Sequence, residues 1–293
     1  MKQIQINEKK LNKIKKKHLN YCKMMLHHFG LTQDLQDEDF KLLFIENPFD
    51  SNQKVKSTYS KYKNYDFSEI YKKFRTPDAN MRTQWCASKL IESIGLTVCP
   101  YCGLQYFAIV PKERTNNDTE NFKIAEAQLD HFKPKSSYKY LALNIYNLIP
   151  VCSNCNTIYK NQHTEEFLNP YFESLEQYIF FHLENLYLPN YLFNEDIEIS
   201  IEKVKKGLPE NLINRINNQL QILHIKDRYK FYQDLIKSLI YKKQILNRVY
   251  SNQLASFLNI SNKELERMLI QQDAFSDNEP FLKFKIDIWN QLS

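Results

Sequence analysis

The spacing of apolar residues predicts helices in the N-terminal part of the chain. Between residues 7 and 29 apolar side chains recur at spacings that roughly fit one helical face, and Gly30 is a plausible helix stop. The members of this stripe are Leu11, Ile14, Leu19, Cys22 and Leu26. An acidic cluster over residues 34–39 is typical of a helix start, because carboxylates favour the positive end of the helix dipole. A further helix is predicted from Thr76-Pro77-Asp78, with an apolar side that ends before Gly95.

The C-terminal part also has mainly helical periodicity. Residues 196–202 alternate strictly between polar and apolar, which predicts one half-buried strand. A helix is predicted from Pro209 to Leu223, and a longer one over 229–249. Ser261-Asn-Lys-Glu264 has the spacing of a capping box and starts a last helical region that ends near Trp289. The fold class expected from these patterns is α+β, mostly α.

Composition and charge restrict the function only weakly. The chain has 293 residues and only four Gly, which favours helices over turn-rich barrels and sandwiches. A net charge of +6 permits a nucleic-acid partner without requiring one. No run of 18 apolar residues is present and the first residues lack a signal-peptide pattern, so we expect no membrane partner and a cytoplasmic location.

Six lysines between Lys9 and Lys17 are best interpreted as a solvated helix face, with contact to a phosphate backbone as the alternative. Residues 47–65 have no firm period and are interpreted as a loop or linker.

Two C-x-x-C pairs, Cys99/Cys102 and Cys152/Cys155, predict a metal site. Thiols stay reduced in the cytoplasm, so paired cysteines there are more typical of metal ligands than of disulfides. Four thiolates suit a tetrahedral, structural Zn²⁺ with no open coordination position. Two unrelated buried pairs, or a redox-active first pair, are the alternatives. Cys22 and Cys86 are predicted to be buried as small hydrophobes.

The Asp130-His131 step lies between the two cysteine pairs and predicts a second, catalytic site. It follows the short alternation 125–129, which suits a strand, and Pro134 supplies a strand end. A carboxylate can hold a hard cation while an imidazole takes a proton from water, which together suit phosphodiester hydrolysis. An Asp-His dipeptide taken alone is usually structural. The position of this one between the two cysteine pairs supports the catalytic interpretation.

Residues 99–160 resemble the zinc-bearing HNH endonucleases with their ββα-metal fold. The resemblance is carried by C-P-Y-C, by L-D-H-F-K-P-K-S and by Y-N-L-I-P-V-C-S-N-C-N with a following lysine. It implies Asp130 as a metal ligand, His131 as general base, Asn147 as a brace of the loop and Asn156 as a second metal ligand. Asn156 stands where many members have His, and this oxygen-based set favours Mg²⁺ or Mn²⁺ as the catalytic ion.

The expected domains and partners follow from this resemblance. We expect an N-terminal helical region at 1–75, an HNH nuclease domain at 76–172 and a C-terminal, mostly helical scaffold or docking region at 173–293. Lys160, Lys133 and Lys135 are expected to contact nucleic acid, with a solvated lysine as the alternative for Lys160. DNA is the expected substrate, and RNA stays open.

Two further hypotheses concern the whole chain. Its flanks loosely resemble HNH proteins that act beside an ATPase in bacterial antiphage systems, such as the nuclease subunit of Septu. That resemblance implies an ATPase as regulatory subunit. The alternative function is a non-catalytic, zinc-stabilised module that binds nucleic acid or protein.

Overall fold

Helices make up most of the regular structure in the computed structural model. It describes residues 1–32, 35–49, 59–77, 85–111, 123–184, 197–203, 207–246, 248–271 and 278–292. The α-helices are α1 (Glu8–His28), α2 (Asp37–Ile45), α3 (Ser68–Arg75), α4 (Ala87–Ile94), α5 (Glu210–Ile222), α6 (Ile225–Lys230), α7 (Gln233–Ile245), α8 (Arg248–Leu258), α9 (Asn262–Ile270) and α10 (Leu282–Gln291). A π-helix spans Asn154–Lys160. The chain is therefore a mixed α/β protein in which helix dominates.

The first helix follows the predicted pattern. Asn7 caps α1 by accepting a hydrogen bond from the amide of Lys10 at 2.9 Å, and Gly30 beyond its end has a left-handed backbone. Its buried face includes Ile14, Cys22 and Leu26, while most of the lysines face solvent. The periodicity therefore identified both the helix and its inward side.

The helix predicted to begin at Thr76 begins instead at Ala87, so that prediction was wrong about the start. Thr76 is the C-cap of α3, and Cys86 has an extended backbone. Residues 78–84, including the predicted Met81, lie outside the described residues. Gly95 ends α4 in a left-handed conformation, as the sequence predicted.

Strands form antiparallel pairs in the described part of the chain. The pairs are β1 (Ile109–Pro111) with β2 (Lys123–Ala125), β3 (Gln128–His131) with β4 (Leu148–Val151), and β5 (Ile179–Leu183) with β6 (Ile199–Lys203). The alternation over 125–129 predicted one strand, but it spans the turn between β2 and β3. β6 lies in the segment predicted as a strand, whereas its aromatic-rich partner β5 was not predicted.

The long C-terminal helix predicted over 229–249 is broken twice. α6 ends at Lys230, α7 begins at Gln233, and α8 begins at Arg248. At the first break the backbone of Tyr232 leaves helical geometry, and the side chain of Gln233 bonds the backbone of Ile197 in another segment. Ser261 and Glu264 form the predicted capping box at α9.

The hydrophobic core runs from the N-terminal helices through the hairpin β3–β4 to α10. Its C-terminal part packs on the first cysteine pair. The hydroxyl of Tyr229 donates to the carbonyl of Cys102 at 2.8 Å, and the amide of Phe281 donates to the carbonyl of Gly103 at 2.8 Å. Among the described helices, none has the length and apolar character needed to cross a membrane.

Candidate active site and metal centre

The four predicted cysteines meet in one buried cluster. Cys99 and Cys102 lie in a tight turn in which the amide of Gly103 donates to the carbonyl of Cys99 at 2.9 Å. Cys152 and Cys155 lie where β4 passes into the π-helix. All four ligand atoms lie within 4.8 Å of one another, and the sulfurs of Cys102 and Cys152 are 3.9 Å apart. The folding of residues 99–155 therefore brings together two pairs that are far apart in sequence.

This cluster fits a tetrahedral zinc ion. With Zn–S bonds of about 2.3 Å, tetrahedral geometry places the sulfurs about 3.8 Å apart. Backbone amides also point at the sulfurs, from Cys152 to Cys99 at 3.4 Å and from Leu104 to Cys102 at 3.5 Å. None of the four cysteines is in a disulfide. The donor set therefore suits a structural zinc.

The guanidinium of Arg228 lies next to the cysteine cluster and favours the thiolate form of Cys102. Nη1 of Arg228 lies 3.5 Å from the sulfur of Cys155. Burial acts to lower the pKa of Arg228, but the thiolates of Cys102 and Cys155 outweigh it and raise that pKa. Burial likewise opposes ionisation of Cys102, yet hydrogen bonds from the other three thiols hold its pKa well below the ordinary value. In contrast, burial raises the pKa of Cys99, and hydrogen bonds with the other thiols raise the pKa of Cys155. Arg228 comes from α6, so the C-terminal region completes the surroundings of this cluster.

The second predicted site lies on the hairpin that the cysteine cluster holds. Asp130 and His131 end β3, where they pair with Ile149 and Leu148 of β4. The π-helix follows β4 and packs against β3. Two strands followed by a helix are the arrangement that the sequence resemblance implied. π-helical segments are rare and often mark functional sites.

Asn147 holds the loop between these two strands. Its buried side-chain oxygen accepts from the amide of Lys133 at 2.7 Å, and its Nδ2 donates to the carbonyls of Lys133 at 3.3 Å and Leu141 at 3.0 Å. Its own carbonyl accepts from the amide of Phe132 at 2.9 Å. Asn147 thus fixes both ends of the loop that follows His131, which is the position predicted for a brace.

His131 has a defined tautomer. Its Nε2 lies 3.0 Å from the carbonyl oxygen of Ala142, and because a carbonyl can only accept, Nε2 carries the hydrogen. Nδ1 is then the basic nitrogen, and it has no hydrogen-bond partner among the described residues. Burial lowers the pKa of His131 to about 4, although the bond to Ala142 opposes the shift. The imidazole is therefore neutral at pH 7 and able to take a proton.

Asp130 is buried and already paired. Its Oδ2 accepts from the hydroxyl of Tyr101 at 2.6 Å and from Nζ of Lys160 at 2.5 Å. Lys160 is 5% exposed and also donates to the carbonyl of His131 at 3.0 Å. Lys160 was predicted to contact nucleic acid, and the structure places its ammonium on this carboxylate instead of at the surface. Oδ1 of Asp130 has no hydrogen-bond partner in the part of the chain that the structure describes.

Asn156 belongs to the π-helix and contacts the face of β3 on which Asp130 lies. Its Nδ2 donates to Oε1 of Gln128 at 2.8 Å, and side chains two apart on a strand share one face. One turn later Lys160 reaches Asp130, so the π-helix runs along this face. Oδ1 of Asn156 has no hydrogen-bond partner among the described residues. A carboxylate oxygen and an amide oxygen are the kind of ligand that a hard divalent cation prefers.

The other two lysines predicted to contact nucleic acid have different surroundings. Lys133 forms an ion pair with Glu166. Nζ of Lys135 lies 5.4 Å from the ring centre of Tyr71 and has no carboxylate partner among the described residues. Of the two, only Lys135 carries a charge that a neighbouring carboxylate does not offset.

Sequence reasoning missed three residues of this site. Tyr101 lies inside the first C-x-x-C pair, and Gln128 lies two residues before Asp130, so adjacency to the motifs was their signal. Tyr71 lies far upstream on α3, and its ring centre is 4.4 Å from that of His131. Nothing in the sequence around Tyr71 marks it as part of the site.

Comparison with known families identifies this segment. The family model described as HNH endonuclease matches residues 99–162, less than a quarter of the chain. A search of curated proteins and a search of solved structures gave no match. The chain therefore contains an HNH endonuclease domain at residues 99–162, which confirms the predicted resemblance. Such a domain supports nuclease activity, a nucleic-acid substrate and the use of divalent metal.

Proposed function

We propose that the protein is a metal-dependent endonuclease that hydrolyses phosphodiester bonds in DNA. The observation that carries the proposal is the geometry of His131: its Nε2 is held by the carbonyl of Ala142, its Nδ1 has no hydrogen-bond partner among the described residues, and it lies next to Asp130 at the end of β3 in an HNH domain. An imidazole held in one tautomer by a backbone carbonyl is suited to general-base catalysis.

In the proposed reaction, Nδ1 of His131 takes a proton from a water molecule while the water oxygen attacks phosphorus. The bond from phosphorus to the 3′-oxygen breaks, and the 3′-oxygen leaves and takes a proton from solvent. Asp130 and Asn156 would hold Mg²⁺ or Mn²⁺, which supplies charge stabilisation for the phosphate and the leaving oxygen. Asn147 positions His131 through the loop, and the four cysteines hold a structural Zn²⁺.

The test is cleavage of supercoiled plasmid DNA and of a structured RNA by the purified full-length chain with Mg²⁺ or Mn²⁺. His131→Ala should lower the rate about 10²–10⁴-fold, because it removes the general base. Asp130→Ala and Asn156→Ala should weaken both the activity and its dependence on the cation. His27→Ala, an exposed histidine on α1, is the matched control and should cut at the wild-type rate. Equal cleavage by wild type and His131→Ala would refute the proposed base.

One observation favours the alternative function, a non-catalytic zinc-stabilised binding module. The ion pair with Lys160 offsets the negative charge of Asp130 without a divalent cation. On that alternative, the wild type binds nucleic acid but cuts neither DNA nor RNA with either cation. Isothermal titration with Mn²⁺ adds a second criterion. If the alternative is right, wild type and Asp130→Ala should bind Mn²⁺ with the same affinity.

We further propose that this nuclease acts in the cytoplasm as the effector of an antiphage system, with an ATPase as regulatory subunit docked on residues 173–293. Support comes from large apolar side chains exposed on α7 and α8: Ile245 is 65%, Val249 67% and Phe257 84% exposed. Such exposure is typical of interaction surfaces. Co-expression with an ATPase from a neighbouring gene should give a complex that Phe257→Asp disrupts. A chain that cuts efficiently alone and binds no neighbouring product would contradict this role.

A further inference from the structure

A cavity of about 550 Å³ opens beside the candidate active site, and its walls come from both inside and outside the HNH segment. Gln128 and Asn156 line it from the side of the proposed metal ligands. Tyr71 and Arg75 of α3 also line it, together with residues of α4 and β2. Its volume is within the range of about 300–1,000 Å³ typical of small-molecule pockets, which is room enough for a nucleotide.

The cavity is directly connected to the proposed general base through Tyr71. The hydroxyl of Tyr71 donates to the carbonyl of Leu129 at 3.3 Å, while its ring lies edge-on against the imidazole of His131. Tyr71 is buried, so this contact forms a fixed wall. A strand that places a phosphate at His131 therefore passes next to this cavity.

The cations on α3 and on the loop after His131 differ in whether a carboxylate offsets their charge. Lys72 is paired with Glu69, Lys133 with Glu166 and Lys139 with Asp66. Arg75 is exposed at the rim, and within the described residues it forms no ion pair or hydrogen bond. Arg75 and Lys135 are therefore cations near Tyr71 whose charge no carboxylate among the described residues offsets.

The other walls are suited to the uncharged parts of a nucleotide. Ala87, Ile91 and Leu129 present buried apolar surface, and Ser88 adds one hydroxyl. An apolar wall beside a guanidinium that has no partner within the described residues matches a base or sugar attached to a phosphate, since Arg binds phosphate through bidentate hydrogen bonds.

We propose that this cavity is a nucleotide subsite for the substrate strand, with Arg75 binding the phosphate next to the one that is cut. The assignment rests on the proposed function, because it takes the position of His131 as the point of cleavage. It gives α3, which lies outside the matched HNH segment, a direct part in substrate binding. The ligand is a phosphodiester strand, and DNA and RNA are separate arms of the test.

The experiment measures binding in full-length protein that carries His131→Ala, so that no strand is cut during the measurement. Fluorescence anisotropy with a labelled DNA duplex and a labelled RNA is recorded at several salt concentrations. Adding Arg75→Ala should weaken binding about three- to tenfold and reduce the salt slope by about 0.9 for duplex DNA, because one phosphate contact is lost. Lys263→Ala, which removes an exposed cation on α9, should change neither quantity.

A second variant tests the effect of the cavity volume on binding separately from the effect of the Arg75 charge. Ser88→Phe fills the cavity and should weaken binding while the salt slope stays unchanged. Circular dichroism and zinc content establish that each variant is folded. The inference is overturned if both variants bind DNA and RNA as the His131→Ala parent does, or if that parent binds neither. Loss of binding in both variants, with no cleavage by the wild type, would support the subsite and refute the endonuclease proposal.

Discussion

The hydroxyl of Tyr101 donates to Oδ2 of Asp130 at 2.6 Å, and Tyr101 lies between the two cysteines of the first C-x-x-C pair. The turn that would bind zinc therefore also holds the carboxylate proposed to bind the catalytic cation. Tyr101 is fully buried, with its ring against Phe167. Through this one residue, a structural metal can fix the position of a catalytic ligand without taking part in the chemistry.

Tyr101→Phe tests this link, because it keeps the ring and removes only the hydroxyl. We expect cation-dependent cleavage to fall about 10- to 100-fold, the usual effect of losing an outer hydrogen bond to a metal ligand. Zinc content should stay at the wild-type value, since the sulfurs are untouched. Cleavage is measured against Mn²⁺ concentration, and Tyr241→Phe, an exposed tyrosine on α7, is the control. Unchanged cation dependence in Tyr101→Phe would show that the bond has no positioning role.

Zinc content is the second prediction. Because four sulfurs meet in one tetrahedral cluster, the purified chain should carry about one zinc ion. Cys152→Ser should lower the zinc content and the melting temperature together, since structural zinc contributes directly to folding stability. Atomic absorption and thermal unfolding measure the two effects. Cys22→Ser and Cys86→Ser are controls that should retain zinc, and a normal zinc content in Cys152→Ser would remove the basis of the assignment.

The sequence was sufficient to predict those features of this protein that depend on the spacing of nearby residues. The cysteine pairs predicted the cluster, the family resemblance was confirmed, and capping patterns at Ser261 and Gly95 marked real helix ends. Each of these features depends on side chains a few residues apart. The same local rules placed Cys22 and Cys86 correctly in the interior.

Features that depend on tertiary contacts could not be predicted. Lys160 has the sequence context of a surface lysine, yet Asp130 and two aromatic rings, Tyr101 and Phe167, enclose its ammonium. Tyr71 is separated from His131 by 60 residues, and no local pattern connects them. The break in the helix predicted over 229–249 depends on Gln233 bonding Ile197 of another segment.

The buried pair of Lys160 and Asp130 gives a third prediction. Lys160→Met should lower the free energy of unfolding by about 3–5 kcal/mol in buffer without added Mg²⁺ or Mn²⁺ and without a chelator that would remove zinc, because the carboxylate loses its cationic partner inside the protein. Mg²⁺ or Mn²⁺ should then restore stability more in the variant than in the wild type, since a cation bound at Asp130 replaces the missing charge. Urea unfolding with and without the cation measures both effects.

The control for this experiment is Lys139→Met. Lys139 pairs with Asp66 at the surface, where an ion pair contributes about 0–1 kcal/mol, so the variant should be nearly as stable as the wild type. A Lys160→Met protein that gains no more from the divalent cation than the wild type would contradict cation binding at Asp130.

The fourth prediction concerns pH and a histidine outside the site. His18 is fully buried, its Nδ1 accepts from the indole of Trp85 at 3.1 Å, and its Nε2 donates to the carbonyl of Leu143 at 2.6 Å. A proton on Nδ1 would displace the hydrogen bond from Trp85. Burial lowers the pKa of His18 to about 4, from 6.5 in the unfolded chain, although the bond to Leu143 opposes the shift. Between these two values the unfolded state binds more protons, so His18 favours unfolding increasingly as the pH falls from 6.5 towards 4.

His18→Gln removes this titration while it keeps a side chain that can both donate and accept. The full pKa difference corresponds to about 3 kcal/mol, so the fall in unfolding free energy between pH 7 and pH 4 should be smaller in His18→Gln by roughly that amount. Urea unfolding at several pH values measures it, and comparison with the wild type cancels the contribution of His131. His27→Gln, exposed on the same helix, should keep the wild-type pH dependence. If His18→Gln loses stability with falling pH as steeply as the wild type does, His18 does not carry the acid sensitivity of the fold.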